Sequence, residues 1–319
     1  MPAIKKCLFF VDSQPDDLLV ARVAERAKTW KAQVTLASSV RPVPQIGSLI
    51  AKRELSQDEI RNLEVQDRQE WLEGLAKRMR EGGAPVSTRV LVGNASEAII
   101  RAVQHEGFDY VVKAPAPDGV VGSKRLGALD MRLIRACPCP VAVVRPPKKQ
   151  SNRIVAAVEL NADTTLQSAL NQSILAHAAL VARVQLDHVY VVHAWTLYGE
   201  SILKSPRVAM PQAELEALLE SERKSRYDQL VATINQFRSS LDGTDSQMFR
   251  PELELVKGDP TEAIPRKVEE LEADILVMGT ASRGGIRGFL IGNLAETLLN
   301  QVDCSVLTVK PDDFVCPIT

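Results

Sequence analysis

The sequence predicts two doubly wound α/β domains in tandem, each built on a parallel five-stranded sheet. Three observations carry that expectation. The chain has 319 residues, about twice a usual domain of roughly 150. Its composition, 45% hydrophobic and 25% charged, is that of an ordinary globular protein. Above all, the chain repeats itself: VLVGNASEAII at 90–100 matches LVKGDPTEAIP at 255–265, FDYVV matches ADILV, and CPVAVVRP matches CSVLTVKP. The three matches share one spacing of 165 residues, from Gly93 to Gly258, Asp109 to Asp274 and Cys139 to Cys304, without a gap. Nearer the front, CLFFVDSQPDD matches IVAAVELNADT at a spacing of 147, from Asp12 to Glu159, which puts extra residues in the first part of the second copy. The expected domains are 1–146 and 153–312, with the boundary in the stiff run Pro146-Pro147-Lys148-Lys149, a linker at 147–152 and a tail at 313–319.

Each copy alternates strand and helix. In the first, the apolar run 8–11 is a strand, and 16–30 has helical spacing with Asp16 and Asp17 at its start. Residues 33–37 form a second strand and Ser56 opens a long charged helix that Gly82 and Gly83 stop. The alternating run 86–92 is the third strand. Ser96 is expected to cap the next helix, with Ile99, Ile100 and Val103 on one side. Strands at 110–112 and 141–144, with a helix over 126–135 between them, complete the copy. The second copy repeats the order, with strands at 154–158, 189–193, 253–256, 275–278 and 306–309. Its long helix places Tyr227, Leu230, Ile234, Phe237 and Leu241 on one stripe. Strands joined by helical crossovers require a parallel sheet covered on both faces.

Charge and patterning exclude several functions. Lys and Arg number 39 against 40 Asp and Glu, so no basic field exists to hold a nucleic acid. No apolar run approaches the roughly 18 residues of a membrane helix, and the N-terminal apolar run is too short for a signal-peptide core; a cytoplasmic location is expected. The five cysteines show no zinc spacing, and Cys137-Pro138-Cys139 reads as small apolar residues entering a buried strand. The four histidines are scattered; His193, at a strand end, is the one beside the expected cleft, and no acid–base pair stands out.

Ligands of such sheets bind beyond the carboxyl ends of the strands, where the strand order switches. There the second copy carries a loop rich in glycine, from Gly279 through Ser282, Arg283 and Gly284 to Gly292 and Asn293, running into a helix over 294–302. Backbone N–H groups at a helix start suit an anion such as phosphate, and Arg283 adds charge. GTASRGGIRGFLIGN with the following AETLLNQVDCSVLTVKP resembles the signature of universal stress proteins: Gly, two residues, Gly, nine residues, Gly, then Ser or Thr. The resemblance spans the chain as two copies, and the ending KPDDFVCPIT resembles the E-type tandem members of bacteria.

That resemblance implies a Rossmann-like stress protein fold and, in the second domain, a site for ATP with magnesium. Gly279 and Gly292 match the first and third glycines, Ser282 stands at the second glycine, and Asn293 at the Ser or Thr. Glu159 takes the place of the Asp that holds the ribose, and Ala157 and Ala194 fall at the adenine contacts. In the first copy Ala114, Pro117 and Ala128 replace Gly279, Ser282 and Asn293, so that half is expected to bind no nucleotide; Lys113 reads as a strand-end lysine. The expected function is a non-enzymatic stress-response protein binding a small ligand at reduced affinity in its second half. A weak ATP hydrolase and a carrier of an apolar molecule are the alternatives. The last strands of the two halves are expected to pair within the chain as an internal pseudo-dimer, with a homodimer as the other possibility.

Overall fold

The computed structural model describes residues 2–41, 56–114, 126–146, 151–160, 165–184, 188–280 and 291–318. The first half runs β1 (Lys6–Phe10), α1 (Asp17–Trp30), β2 (Gln33–Val40), α2 (Gln57–Glu81), β3 (Val86–Val92), α3 (Ala95–Glu106), β4 (Tyr110–Lys113), α4 (Ala128–Ala136) and β5 (Val141–Val143). The second runs β6 (Arg153–Ala157), α5 (Thr165–Ala182), β7 (His188–Trp195), α6 (Glu200–Leu203), α7 (Gln212–Ser239), α8 (Gly243–Met248), β8 (Glu252–Lys257), α9 (Pro260–Glu270), β9 (Ile275–Gly279), α10 (Asn293–Gln301) and β10 (Ser305–Val309).

Local chemistry accounts for most boundaries. The Asp16 carboxylate accepts from the Leu18 N–H at the start of α1, and Ser56 with Glu59 forms a reciprocal capping box on α2. The cap of α3 is Asn94, two residues before the Ser96 expected from sequence. The Asn94 carbonyl oxygen accepts from the N–H groups of Ser96 and Glu97, and the buried Ser96 hydroxyl donates back to it at 2.7 Å. On α7 the buried stripe contracts to Leu230, Ile234 and Phe237; Tyr227 is 44% exposed, since the stretch between Leu215 and Leu230 buries no residue. The extra residues of the second copy are divided, with α5 at 18 residues against 14 in α1, and α8 inserted between α7 and β8.

The ten strands form one sheet in the order β3-β2-β1-β4-β5-β10-β9-β6-β7-β8. Every neighbouring pair is parallel except β5 with β10. That antiparallel seam sets Val306, Leu307 and Thr308 against Val143, Ala142 and Val141. Since Ala142 and Leu307 are 165 residues apart, as the repeats are, they face each other across a local two-fold axis. A second reciprocal contact surrounds it. The Arg145 guanidinium donates to the Val302 carbonyl at the end of α10, and the Lys310 ammonium donates to the Ile134 and Arg135 carbonyls at the end of α4. Each half thus places a cation on the negative helix terminus of the other.

Alternation along the strands sends side chains to two cores, one on each face. Phe9 and Val11 pack with α1 and α2, and Val191 and Val277 with α5 and α7. Leu8 and Phe10 pack with α3 and α4, and Val155, Val192 and Met278 with α9 and α10. Among the described residues, no helix is long and apolar enough to cross a membrane.

Candidate functional site

Strand order reverses between β1 and β4 in the first half and between β6 and β9 in the second. Each crevice therefore opens where those strands end, beneath α4 and α10 respectively. In the second half, Gly279 ends β9 and Thr280 follows it, while Gly292 is the N-cap of α10. The Thr280 N–H donates to Val309, and the Gly292 N–H donates to the Thr280 carbonyl at 3.3 Å. The first and third glycines of the motif are thereby tied together at the base of the loop. Ser282, Arg283 and Gly284 lie outside the described residues. Asn293 is exposed at the first position of α10, and the N-cap glycine brings no side chain to accept from the first turn.

Ala157, half-buried at the end of β6, pairs in register with Met278 on one side and Val192 on the other. Ala194 is buried on the same face of the adjoining β7. Both small side chains therefore share the face covered by α10. Glu159 lies two residues beyond Ala157. Its backbone is clamped from α5: Asn171 donates to the Glu159 carbonyl at 2.8 Å and accepts from the Glu159 N–H at 3.2 Å. Asn171 was not singled out in the sequence, although a polar residue in the apolar run of α5 is a signal of such a clamp.

Two residues point away from the face covered by α10. Gly279 points to the opposite face, where a Cβ would stand 2.6 Å from Cδ2 and 3.0 Å from Cγ of buried Leu170. Close packing of α5 on β9 by itself requires glycine there. His193 is buried, not lining the crevice: its Nδ1 meets the Val158 carbonyl at 3.1 Å, on the side of α5 and α7.

The first-half crevice is filled from within. Lys113, expected to snorkel at a strand end, is buried, with Nζ 3.0 Å from Asp130 and 3.4 Å from Asp12. Asp130 lies in the first turn of α4, and its other oxygen accepts from the Gly127 N–H at 2.9 Å. The chain's own carboxylate thus occupies the anion position at that helix start, and Lys113 neutralises it. The counterparts in the second half, 165 residues on, are Met278 and Ala295, both buried and apolar.

Comparison with known proteins follows the same division. The model of the universal stress protein family matches residues 3–145 and again 152–310. The chain is 28% identical over 258 residues to Universal stress protein E of Escherichia coli K12, covering 80% of this chain and 77% of that one. It is 27% identical over 281 residues to the protein of the same name from Photorhabdus laumondii, covering 86% and 82%. A functionally unknown protein from Pseudomonas aeruginosa PAO1 shares the fold with a TM-score of 0.69 at 23% identity, covering 98% of this chain and 94% of the other. A universal stress protein from Archaeoglobus fulgidus does so with a TM-score of 0.60 at 15% identity, each chain covered to 97%. Two family matches in sequence, on two α/β halves joined through their last strands, place this chain in the universal stress protein family as a tandem-domain member of the E type.

Proposed function

We propose that this stress-response protein is non-enzymatic and binds a small anionic ligand of the adenine-nucleotide class, with magnesium, in its second half alone. Membership in the family assigns the stress-response role. The asymmetry rests on one observation. Asp130 fills the helix start of α4 in the first half, while apolar Ala295 stands at the equivalent position of α10 and the one acidic residue of that turn, Glu296, accepts from Arg135 at 2.6 Å. In the second half, Gly292 and Asn293 supply the anion-binding helix start, with Gly279, Ser282, Arg283 and Gly284 as the other motif residues assigned to the ligand. Ala157 and Ala194 leave room for a planar base on the same face, and Glu159 stands at the ribose position.

A serine, Ser282, stands at the second glycine of the family motif and Asn293 lacks the hydroxyl of its Ser or Thr, so affinity is modest. One good hydrogen bond to a charged group is worth about 1.5–3 kcal/mol, roughly ten- to a hundredfold in Kd. Calorimetry with Mg-ATP should find one site per chain, tightened by about that factor in Ser282→Gly/Asn293→Ser. Copying the first-half pair into the second, Met278→Lys/Ala295→Asp, should abolish binding while the chain stays folded. Tightening absent from the restored variant, or heat retained in the copied one, refutes the reading. Phosphate release at a rate dependent on Gly292 would instead favour the hydrolase.

We further assign residues 1–146 and 153–312 as the domains and the β5–β10 seam as an internal pseudo-dimer. The end of the linker is anchored on the second domain, since the Asn152 N–H donates to Asp274 at 2.7 Å and Ser151 donates to Glu272. The seam covers two apolar strand edges that would otherwise be exposed. Light scattering should give the mass of one chain, 35.0 kDa, with unfolding independent of concentration. Larger species alone, with concentration-dependent unfolding, would exclude the internal pairing.

A further inference from the structure

The turn that joins α4 to β5 holds a second cluster, unconnected with the nucleotide crevice. Cys137 is the C-cap of α4, and its Sγ stands 3.6 Å from Sγ of Cys139 across Pro138. Beside them, Lys310 from the other half places its ammonium on the last carbonyls of α4 and 4.3 Å from the centre of the Phe314 ring. Cys316, in the tail, donates to the Ala136 carbonyl at 3.3 Å. A cleft of about 380 Å³ runs alongside, lined among others by Pro138, Pro140, Lys310 and Phe314.

We propose that Cys137 and Cys139 form a reactive dithiol that a hydroperoxide oxidises to an intrachain disulfide. The geometry is close to that bond. Two residues of extended chain span at most about 7 Å, which meets the upper end of the Cα separation of about 4.4–6.8 Å that disulfides accept. The proline holds the link short by fixing its own φ.

The electrostatics favour a thiolate at one site and oppose it elsewhere. A helix C-terminus by itself repels an anion. The hydrogen bonds from Cys139, with a smaller contribution from the Lys310 ammonium, hold the Cys137 thiol below its ordinary value against the burial that raises it, while Cys139 is pushed well up by the same pairing and by burial. Burial drives Cys7 and Cys304 the other way, each to about 12. Burial also lowers Lys310 to about 8, so that it gives up a proton readily. The fold does not need a thiol at 137: the symmetry-related position in the second half is Val302.

The steps balance. The Cys137 thiolate attacks one peroxide oxygen; the S–O bond forms, the O–O bond breaks, and the departing alkoxide takes a proton from Lys310. The Cys139 thiol then attacks the sulfenic sulfur; the S–S bond forms, and hydroxide leaves with the Cys139 proton as water. One hydroperoxide is reduced to alcohol and water as two thiols become a disulfide.

Hydrogen peroxide added to the reduced full-length protein tests this. The tryptic peptide beginning at Ala136 carries Cys137 and Cys139 and no other cysteine. By mass spectrometry it should lose two hydrogens, reversibly with dithiothreitol, before Cys7, Cys304 or Cys316 reacts, and faster than in the urea-unfolded chain. In Cys139→Ser the sulfenic acid at Cys137 should persist and be trapped by dimedone. Lys310→Met should slow the native reaction several-fold, and Lys310→Arg should restore it. A pair that reacts no faster than in the unfolded chain, or a cross-link from this peptide to Cys316, overturns the assignment.

Discussion

Lys113→Met alone should destabilise the first half by about 3–5 kcal/mol, the usual effect of stranding a buried charge, and adding Asp130→Ala should recover most of that loss. The single substitution leaves Asp130, with its side chain 4% exposed, without the ammonium that sits 3.0 Å away. Its other oxygen still accepts from the Gly127 N–H. The double variant installs the apolar pair that the second half already uses, Met278 and Ala295, at matching positions of the same fold. Replacing a buried ion pair by apolar groups of suitable volume is often neutral. Urea titration of the wild type, both singles and the double yields the coupling directly. Losses that simply add would show that the ammonium and the carboxylate act independently. The effect should also resist salt, because buried pairs are weakly screened.

The second large effect is expected where α5 meets β9. Leu170→Ala should cost about 2–5 kcal/mol by opening a cavity, and Gly279→Val about 1–3 kcal/mol by overpacking. Combined, the new valine enters the space that the leucine left, and the loss should fall below the sum of the two. The reason is the 2.6 Å approach between a Cβ at position 279 and Cδ2 of Leu170. Thermal unfolding of the four chains measures it. This bears on function as well, because Gly279 is the first glycine of the nucleotide motif. A substitution there alters packing on the face opposite α10, so loss of ligand in Gly279→Val is interpretable only beside its stability. Full stability in Gly279→Val would remove the packing explanation and return that glycine to the ligand.

The architecture was legible because its determinants are periodic and local. The 165-residue spacing between repeats, the strand–helix alternation and the capping signals at Asp16 and Ser56 depend on neighbours within a few residues, and each recurs in the structure. The placement of Ala157, Ala194, Gly279, Gly292 and Asn293 at strand ends and at a helix start could be read in the same way. The cap of α3 was misplaced by two residues because Asn94 and Ser96 are both competent, and only the geometry of the first turn selects Asn94.

What depended on distant residues lay beyond the sequence alone. Lys113 reads as a strand-end lysine until the fold carries Asp130 and Asp12 to its ammonium. That Gly279 must also leave room for Leu170, more than a hundred residues earlier, shows only in the packed fold. Cys137 and Cys139 are buried as the sequence suggests, but the Lys310 ammonium that the opposite half sets on the end of α4 beside them is invisible there. Periodicity reports which face of an element is buried, since burial follows from side-chain spacing along one helix or strand. It carries no record of which particular partner waits on that face, and the charge, packing and reactivity of these residues are set by that partner.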